Sequence, residues 1–294
     1  MTRVLVTGGT GFVGRRTVPL LVRSGLDVVG LARSDGAADQ LEAMGSAVVR
    51  GDLDDADGVA EAFERAGATQ LVNIASLGFG HAEAIVNAAE RSGTDRAVFV
   101  STTAIFTKLN AGSKTVRMAA EETIRGSRLA YTIIRPTMIY GAPDDRNLAR
   151  LLTLLTKTRV IPLPGKGRLQ QPVHVEDVAA ALVAALGTAE SIGRAYDTAG
   201  PEPMTFGDLV AESATAMCRR VLTVPVPLRP VVGVTRMYER RAATPRLKAE
   251  QFERLGEDKS FDISPAVADL GYRPRPFSVG IRDEAEMMLA RLGG

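Results

Sequence analysis

The chain has 294 residues, of which 45% are hydrophobic, and this length accommodates one large α/β domain or a core domain with a smaller appendage. Lysine and arginine total 36 against 34 for aspartate and glutamate, so no general affinity for nucleic acid is expected. No apolar run reaches transmembrane length, and no signal-like segment precedes the first predicted strand, so we expect a cytoplasmic protein without a membrane partner.

Residues that form disulfides or bind metals are scarce. Cys218 is the only cysteine, which excludes an intrachain disulfide, and its Ala- and Met-rich surroundings predict a small core residue. His81 and His174 are the only histidines, and no Cys/His cluster accompanies them. We therefore expect no metal site.

Short apolar runs alternate with helical patterns through about residue 135. The predicted strands are Arg3–Thr7, Asp27–Leu31, Ala47–Arg50, Gln70–Ile74, Ala97–Ser101 and Ala130–Ile134. The predicted helices between them include Gly14–Ser24, Asp57–Ala66, Ala82–Arg91 and Thr115–Gly126. This alternation predicts a parallel sheet covered by helices on both faces, with ligands at the carboxyl ends of the strands.

The turn after the first predicted strand carries glycines at a spacing of three: Gly8, Gly11 and Gly14. The first allows a tight turn, the second lets a pyrophosphate approach the backbone, and the third lets the next helix pack close to the strand. The N-terminus of that helix offers N–H groups and the positive end of its dipole to phosphates. Because the glycines stand between a strand and a helix, they predict a dinucleotide site.

Beyond Tyr140 the alternation loosens and prolines punctuate the chain, although helical patterns remain at Asn147–Thr156 and Val175–Leu186. We interpret residues 1–160 as mainly a dinucleotide-binding domain. Residues 161–294 are then mainly a substrate-binding region, interleaved with the last elements of the sheet.

Seven segments in a fixed order carry a family resemblance: Thr7–Gly14, Gly51–Leu53, Ala97–Thr102, Thr132–Pro136 with Tyr140-Gly141, Val173–Ala179, Phe261-Asp262 and Leu270–Pro274. They resemble motifs of the extended short-chain dehydrogenase/reductase superfamily, the NAD-dependent epimerases and dehydratases. The resemblance implies an α/β Rossmann fold, a doubly wound parallel sheet with a small, mostly helical C-terminal substrate domain. It covers nearly the whole chain.

The residues expected to hold the cofactor follow from the glycine turn and from this resemblance. They are Gly8, Thr10, Gly11, Phe12, Val13 and Gly14 in the turn, Arg33 and Ser34 after the second strand, Asp52 and Leu53 at the adenine, Ile74 and Ala75 after the fourth strand, and Arg117 on a helix.

The end of the second predicted strand distinguishes NAD from NADP. A site that prefers NAD places an acidic residue there, which accepts hydrogen bonds from the ribose hydroxyls. In this chain Ala32 takes that position and Arg33 follows, whose guanidinium suits a 2′-phosphate. The alternatives are that Arg33 only opens a surface loop and that Asp35 or Asp39 serves the ribose. We expect NADP, with NAD as the alternative.

The resemblance implies a catalytic Tyr-x-x-x-Lys pair on one helix, in which the lysine holds the nicotinamide ribose and lowers the pKa of the tyrosine. If Glu121 is the glutamate that follows the family's lysine by four residues, Arg117 and Ser113 occupy the lysine and tyrosine positions. Arg117 still suits the ribose, whereas Ser113 is a weak acid that favours a helix N-cap over catalysis. A register shifted by one turn would place Lys114 on the ribose instead.

Three other side chains are candidates for the catalytic machinery. Thr102 is the expected Ser/Thr at the end of the fifth strand, with Ser101 and Thr103 as alternatives. Tyr140 lies just past a strand end, and its alternative role is to pack the Tyr-Gly turn. His81 precedes the fourth helix near the expected nicotinamide; histidine titrates near neutral pH, although a lone histidine is more often structural.

A basic stretch lies in the substrate-binding half of the chain. Glu239 is its one acidic residue before residue 249, against Arg219, Arg220, Arg229, Arg236, Arg240, Arg241, Arg246 and Lys248. The stretch indicates an anionic, phosphate-bearing substrate or, equally, a solvated helix face or a partner contact.

Two functions are compatible with these patterns. The first is an NAD(P)-dependent oxidoreductase or epimerase/dehydratase-like enzyme that acts on a small sugar-like substrate, with or without a phosphate or nucleotide. The second is a non-catalytic NADP(H)-binding sensor, regulator or assembly protein of the NmrA-like type, which the missing Tyr-Lys pair favours. Fold cannot decide between them. We expect the enzyme, because the sequence motifs of the substrate-binding region are retained. The sequence does not decide whether the protein is a monomer or a homodimer.

Overall fold

The computed structural model describes residues 2–109, 112–145, 147–242 and 249–293. Its strands are β1 (Arg3–Thr7), β2 (Asp27–Ala32), β3 (Ala47–Arg50), β4 (Gln70–Asn73), β5 (Arg96–Val100), β6 (Ala130–Pro136), β7 (Ile139–Tyr140), β8 (Val160–Pro164), β9 (Leu169–Gln170), β10 (Val173–His174), β11 (Arg194–Thr198), β12 (Met204–Thr205) and β13 (Leu222–Val226).

Its helices are α1 (Gly14–Arg23), α2 (Asp35–Ala43), α3 (Ala56–Ala66), α4 (Ala82–Arg91), α5 (Gly112–Arg125), α6 (Leu148–Lys157), α7 (Val175–Gly187), α8 (Phe206–Ala216), α9 (Leu228–Arg241), α10 (Ala249–Leu255), α11 (Ser264–Leu270) and α12 (Phe277–Gly293). Short 3₁₀ turns lie at Leu77–Phe79, Thr103–Phe106 and Ala189–Ser191.

Seven of the described strands form one parallel sheet in the order β11-β6-β5-β4-β1-β2-β3. In the middle of the sheet Leu5 pairs with Val29 on one side and Leu71 on the other. Strand order reverses between β1 and β4, and ligands of such sheets bind in the crevice at that point. The predicted doubly wound Rossmann fold is therefore confirmed.

The predicted strands match the observed ones to within two residues at each end, and β1 and β3 match in full. The sequence did not reveal β11, because its residues Arg194 and Asp197 break the apolar run that marked the other strands. Its backbone nevertheless pairs along the whole of β6 from Thr132 to Pro136.

Two apolar clusters cover the faces of the sheet. Val4 and Val6 of β1 point into the cluster formed with α1 and α7, whereas Leu5 points into the cluster formed with α3, α4 and α5. Successive side chains of a strand alternate between its faces, which explains this division.

A third apolar cluster builds the substrate-side region and joins Tyr140, α6, α8 and α12. Packing therefore starts this region at Tyr140, before the expected boundary at residue 160. In contrast, two elements beyond that boundary belong to the main sheet layer: β11 is a strand of the sheet, and α7 packs on one of its faces.

Cys218 corrects one expectation, because it is exposed rather than a core residue. Helix α8 ends at Ala216, Met217 takes the buried position, and Cys218 follows with a φ of 53°. None of the helices in the described ranges is long and apolar enough to cross a membrane. The described residues also contain no group of three His, Cys, Asp or Glu side chains that could hold a metal ion.

Glu284 of α12 is fully buried against the loop after β7. The Gly141 N–H donates to Glu284 Oε2 at 2.8 Å, and this bond docks α12 on the loop. Burial raises the pKa of Glu284 to about 9, and the neighbouring Asp145 carboxylate contributes to the rise. Glu284 is consequently protonated in the folded protein at neutral pH.

We predict that this carboxyl group makes stability fall as pH rises. The folded state keeps the proton of Glu284 until about pH 9, whereas an unfolded glutamate loses it near pH 4.3. Between these values the folded state binds more protons, so the free energy of unfolding falls by up to about 1.4 kcal/mol per pH unit.

Urea unfolding at two pH values, roughly 5.5 and 7.5, tests this prediction. Glu284→Gln keeps a neutral hydrogen-bonding side chain and should lose about 3 kcal/mol less than the wild type over that interval. Glu286→Gln, an exposed position on the same helix, is the matched control and should behave as the wild type. Equal slopes for wild type and Glu284→Gln would contradict the prediction.

Candidate functional site

In the glycine turn, neighbouring backbone leaves no room for a side chain at Gly8 or Gly14, whereas Gly11 faces open space on most sides. Gly8 has a φ of +70°, and a Cβ added there would lie 2.6 Å from the Ala75 nitrogen. A Cβ at Gly14 would overlap the Gly8 carbonyl oxygen. Gly11 is exposed, and a Cβ there would meet only that oxygen, at 3.2 Å. The turn thus leaves room at Gly11 for a pyrophosphate, as the dinucleotide interpretation requires.

The residues between these glycines fix the start of α1. Val13 is buried in the first apolar cluster, and Thr10 and Phe12 are half-buried. The Arg16 guanidinium lies 4.8 Å from the centre of the Phe12 ring. Arg15 pairs with Asp144, which ties the beginning of α1 to the substrate-side region. This last contact could not be predicted from the sequence, because 129 residues separate its partners.

Arg33 lies at the end of β2, where the cofactor's ribose is expected. It is exposed and makes no hydrogen bond or ion pair with the described residues. Ser34 caps α2 by accepting from Ala37 N at 3.4 Å, and Asp35 pairs with Arg50 at 2.6 Å. Because Arg50 engages the carboxylate of Asp35, the cation at Arg33 is left available for an anion.

The loop after β3 contains Asp52 and Leu53. Asp52 Oδ1 accepts from Asp54 N at 3.2 Å and shapes the loop, while Leu53 packs on the second apolar cluster. His81 Nε2 lies 2.8 Å from Asp54 Oδ1. His81 also follows the Leu77–Phe79 turn closely, and the Phe79 ring lies 6.2 Å from its own. The expected position of His81 near the nicotinamide stays a prediction.

The carboxyl ends of β4 and β5 provide the other half of the crevice. Ile74 N donates to the Thr7 carbonyl at 3.0 Å, and Asn73 Nδ2 to the Ala75 carbonyl at 3.2 Å, so Ile74 and Ala75 lie beside the glycine turn. Thr102 follows β5 and caps the 3₁₀ turn Thr103–Phe106, because its Oγ1 accepts from Ala104 N at 3.2 Å.

A buried ion pair sets the position of α5. Arg135 of β6 donates from Nε to Glu121 Oε1 at 2.8 Å and from Nη2 to the other carboxylate oxygen. Burial alone would raise the pKa of Glu121, but hydrogen bonds from Arg135 and Ser101 lower it below its usual value. The carboxylate is therefore charged, and it holds one face of α5 against β6.

Arg117 lies one turn before Glu121 on the same face of α5. Its guanidinium packs against the Leu77–Phe79 turn, where a Cβ added to Gly78 would come within 3.0 Å of Nη2. Lys114 instead donates from Nζ to the Thr107 carbonyl at 2.6 Å. Ser113 lies inside the first turn of α5, which begins at Gly112, and so is not its N-cap.

Tyr140 is not accessible from the crevice, since its side chain is 1% exposed. Its ring packs 5.3 Å from His174 and 5.1 Å from Phe277. Burial raises the pKa of Tyr140 well above its usual value. Packing of the Tyr-Gly turn, the alternative role given to this residue, is the one that the geometry supports. His174 Nδ1 accepts from Glu176 N at 3.3 Å and caps α7.

The segment after α10 supplies polar residues that sequence reasoning missed. Glu257 accepts from Thr107 Oγ1 and from Lys108 N, each at 2.6 Å, and thereby covers the turn after Thr102. Lys259 is half-buried, and its Nζ lies 3.3 Å from Gln170 Oε1. The charge of Arg254 lowers the pKa of both Arg117 and Lys259, after burial, which is the larger cause for each.

These polar residues precede Phe261-Asp262, which resembles a family motif, but no spacing distinguished them in the sequence.

The basic stretch does not form a cluster of cations aimed at one site among the described residues. Arg236 pairs with Glu253, and Arg219, Arg220, Arg229, Arg240 and Arg241 are exposed. Arg246 and Lys248 lie outside the described residues.

Comparison with known proteins agrees with this geometry. The family model described as NAD(P)H-binding matches residues 8–189, which include the glycine turn, Thr102 and Arg117. The chain belongs to this NAD(P)H-binding family. Its fold is shared with solved epimerases that were determined with NAD.

Two relatives and one solved structure of another protein show what this chain is similar to. A 4-hydroxy-2-methyl-3-oxo-4-farnesyl-3,4-dihydroquinoline-1-oxide ketoreductase of Stigmatella aurantiaca is 25% identical and covers 93% of this chain and 92% of its own. The NADH dehydrogenase [ubiquinone] 1 alpha subcomplex subunit 9 of Arabidopsis thaliana is 28% identical over 90% of this chain and 70% of its own. UDP-glucuronic acid 4-epimerase of Bacillus cereus with NAD is 16% identical, with a TM-score of 0.76 over 98% of this chain and 99% of its own.

We predict that Arg117, and not Lys114, holds the nicotinamide ribose. Arg117→Met should weaken NADPH binding by about 1.5–3 kcal/mol, roughly 10- to 150-fold in Kd, because a charged hydrogen bond is lost. Arg117→Lys should restore most of the affinity. Lys114→Met is the matched control, since Lys114 Nζ is bound to a backbone carbonyl of the chain. Isothermal titration would refute the assignment if the Lys114 variant lost more affinity than the Arg117 variant.

Proposed function

We propose that this protein is an NADP(H)-dependent oxidoreductase that interconverts a carbonyl and an alcohol on a small substrate. One observation carries the proposal: the turn that is open at Gly11 shares its edge of the sheet with Thr102 and Arg117, and the segment around Lys259 covers that edge. A substrate held at Thr102 would therefore meet the nicotinamide at this edge of the sheet.

The chain's residues fit a dinucleotide along the whole crevice. The glycine turn would hold the pyrophosphate, Arg33 and Ser34 the phosphorylated ribose, and Asp52 and Leu53 the adenine. Ile74, Ala75 and Arg117 would hold the nicotinamide ribose. When bound, the nicotinamide supplies or accepts a hydride, and the protein's part is to orient the substrate and to handle the proton. Thr102, whose hydroxyl oxygen is held by Ala104 N, would hold the substrate oxygen.

The substrate class that we propose is a small, sugar-like carbonyl compound or alcohol, with or without a phosphate. Support comes from the solved UDP-glucuronic acid 4-epimerase, whose fold this chain shares, and from the named ketoreductase, whose reaction acts on a ketone. The cations Arg254 and Lys259 at the covering segment favour a substrate with negative charge or several oxygens.

A second candidate function is a non-catalytic NADP(H)-binding sensor or assembly subunit. Ser113 and Arg117 stand where the family has tyrosine and lysine, and the respiratory-complex subunit is similar over 90% of this chain. We favour the enzyme because α6, α8 and α12 form, with Tyr140, an apolar core of their own beside the main sheet.

Incubation of the protein with NADPH and a cell metabolite extract tests the proposal. The expected result is oxidation of NADPH together with a metabolite that gains two mass units, as a reduced carbonyl must. Individual carbonyl compounds, such as DL-glyceraldehyde and 9,10-phenanthrenequinone, provide a defined panel. Tight NADPH binding without turnover of any of these would favour the sensor.

We predict that Arg33 selects NADPH over NADH. Arg33→Ala should weaken NADPH binding by about 1.5–3 kcal/mol and leave NADH nearly unchanged, because only NADPH carries the 2′-phosphate. Arg23→Ala is the matched control, since Arg23 is an exposed arginine in the last turn of α1. Titration of both cofactors measures the effect. Equal losses for NADPH and NADH would remove Arg33 from the 2′-phosphate.

A further inference from the structure

The proposed reaction lacks a proton donor among the residues that the sequence suggested. Tyr140 is 1% exposed, Ser113 is a weakly acidic hydroxyl on α5, and His81 is bound to Asp54 beside the β3 loop. Thr102 has an accessible hydroxyl, but an unassisted alcohol is too weak an acid to donate a proton at neutral pH. The remaining donor has to face the turn after β5.

Residues 257–261 form an extended segment that lies along β9 and faces this turn. Lys259 N donates to the Leu169 carbonyl at 2.9 Å, and Phe261 N to Gln171 Oε1 at 2.8 Å. Glu257, Lys259 and Phe261 are partly buried, whereas Asp258 and Ser260 between them are exposed. This alternation is that of an extended chain with one covered face.

The outer two of the covered side chains contact the residues that follow Thr102. Glu257 accepts from Thr107 Oγ1 and Lys108 N, and the Phe261 ring lies 6.1 Å from the ring of Phe106. Lys259 stands between them on the same face of the segment. Lys259 therefore lies beside this turn, and its Nζ lies 3.3 Å from Gln170 Oε1.

We propose that Lys259 is the proton donor to the substrate oxygen, taking over the task of the missing tyrosine. This assignment rests on the proposed function. The substrate's C=O bond becomes C–H and O–H: one N–H bond of Lys259 breaks to give the proton on oxygen, and the hydride on carbon is what NADPH would supply when bound, with NADP⁺ as its product. The neutral amine then regains a proton from solvent.

The charges around Lys259 suit this role. Burial lowers the pKa of Lys259; Glu257 acts against this change, and Arg254 adds to it. Lys108, on the turn opposite, is a further cation of the surroundings, and Gln170 is a neutral hydrogen-bond acceptor. A lysine whose pKa lies below its usual value gives up a proton more readily than a surface lysine.

The first test measures the amine itself and needs no turnover. Competitive labelling with acetic anhydride at a series of pH values, followed by mass spectrometry, gives the titration midpoint of each lysine. Lys259 should titrate at lower pH than the exposed Lys157, and saturating NADP⁺ should protect Lys259 but not Lys157. A Lys259 with the midpoint of Lys157 and no protection by NADP⁺ would overturn the proposal.

The second test uses DL-glyceraldehyde and 9,10-phenanthrenequinone with NADPH. Lys259→Met should lower the rate about 100- to 10,000-fold with an unchanged Kd for NADPH. Lys259→Arg keeps the charge but not the acidity, and should remain slow; Lys157→Met is the matched control. If the wild type is active and Lys259→Met keeps full activity, the role of Lys259 as proton donor is refuted and the proposed function stands. If the wild type is inactive on both probes and on the metabolite extract, the proposed function is refuted, and the role of Lys259 with it.

Discussion

The close approach of the glycine turn to the end of β4 is the constraint on which the cofactor crevice depends. The backbone at Gly8 lies so near Ala75 that a Cβ would come within 2.6 Å of the Ala75 nitrogen, and α1 starts against the Gly8 carbonyl at Gly14. Only residues without a side chain permit both contacts. They bring the N-terminus of α1 to the point where strand order reverses, and there its N–H groups face an incoming anion.

A second constraint acts on the opposite half of the crevice. The Glu121–Arg135 pair is buried between α5 and β6, and removing one partner of such a pair costs about 3–5 kcal/mol. It fixes which face of α5 meets the crevice, so Arg117 lies under the Leu77–Phe79 turn while Lys114 is bound to a backbone carbonyl. The pair thus holds α5 in place whatever residues stand at Ser113 and Arg117.

The proton donor that we propose differs in position from the family's tyrosine. In the family one helix carries both the ribose-binding cation and the acid. Here α5 retains only a cation, and the structure places an amine on a different segment, beyond α10 and along β9. A donor that approaches from the covering segment would couple proton transfer to the position of that segment, which Glu257 and Phe261 hold against the turn after Thr102.

The parallel sheet and the glycine turn could be predicted from the amino-acid sequence. Both depend on neighbours in the chain: continuous apolar strands and three glycines at fixed spacing. The sequence did not reveal β11, whose polar residues hide a strand that backbone pairing to β6 creates. Nor could it show that Tyr140 is buried, that His81 is bound to Asp54, or that Glu257 contacts the turn after Thr102. These facts depend on contacts between residues far apart in the chain, such as Thr107 with Glu257, and only tertiary packing decides them.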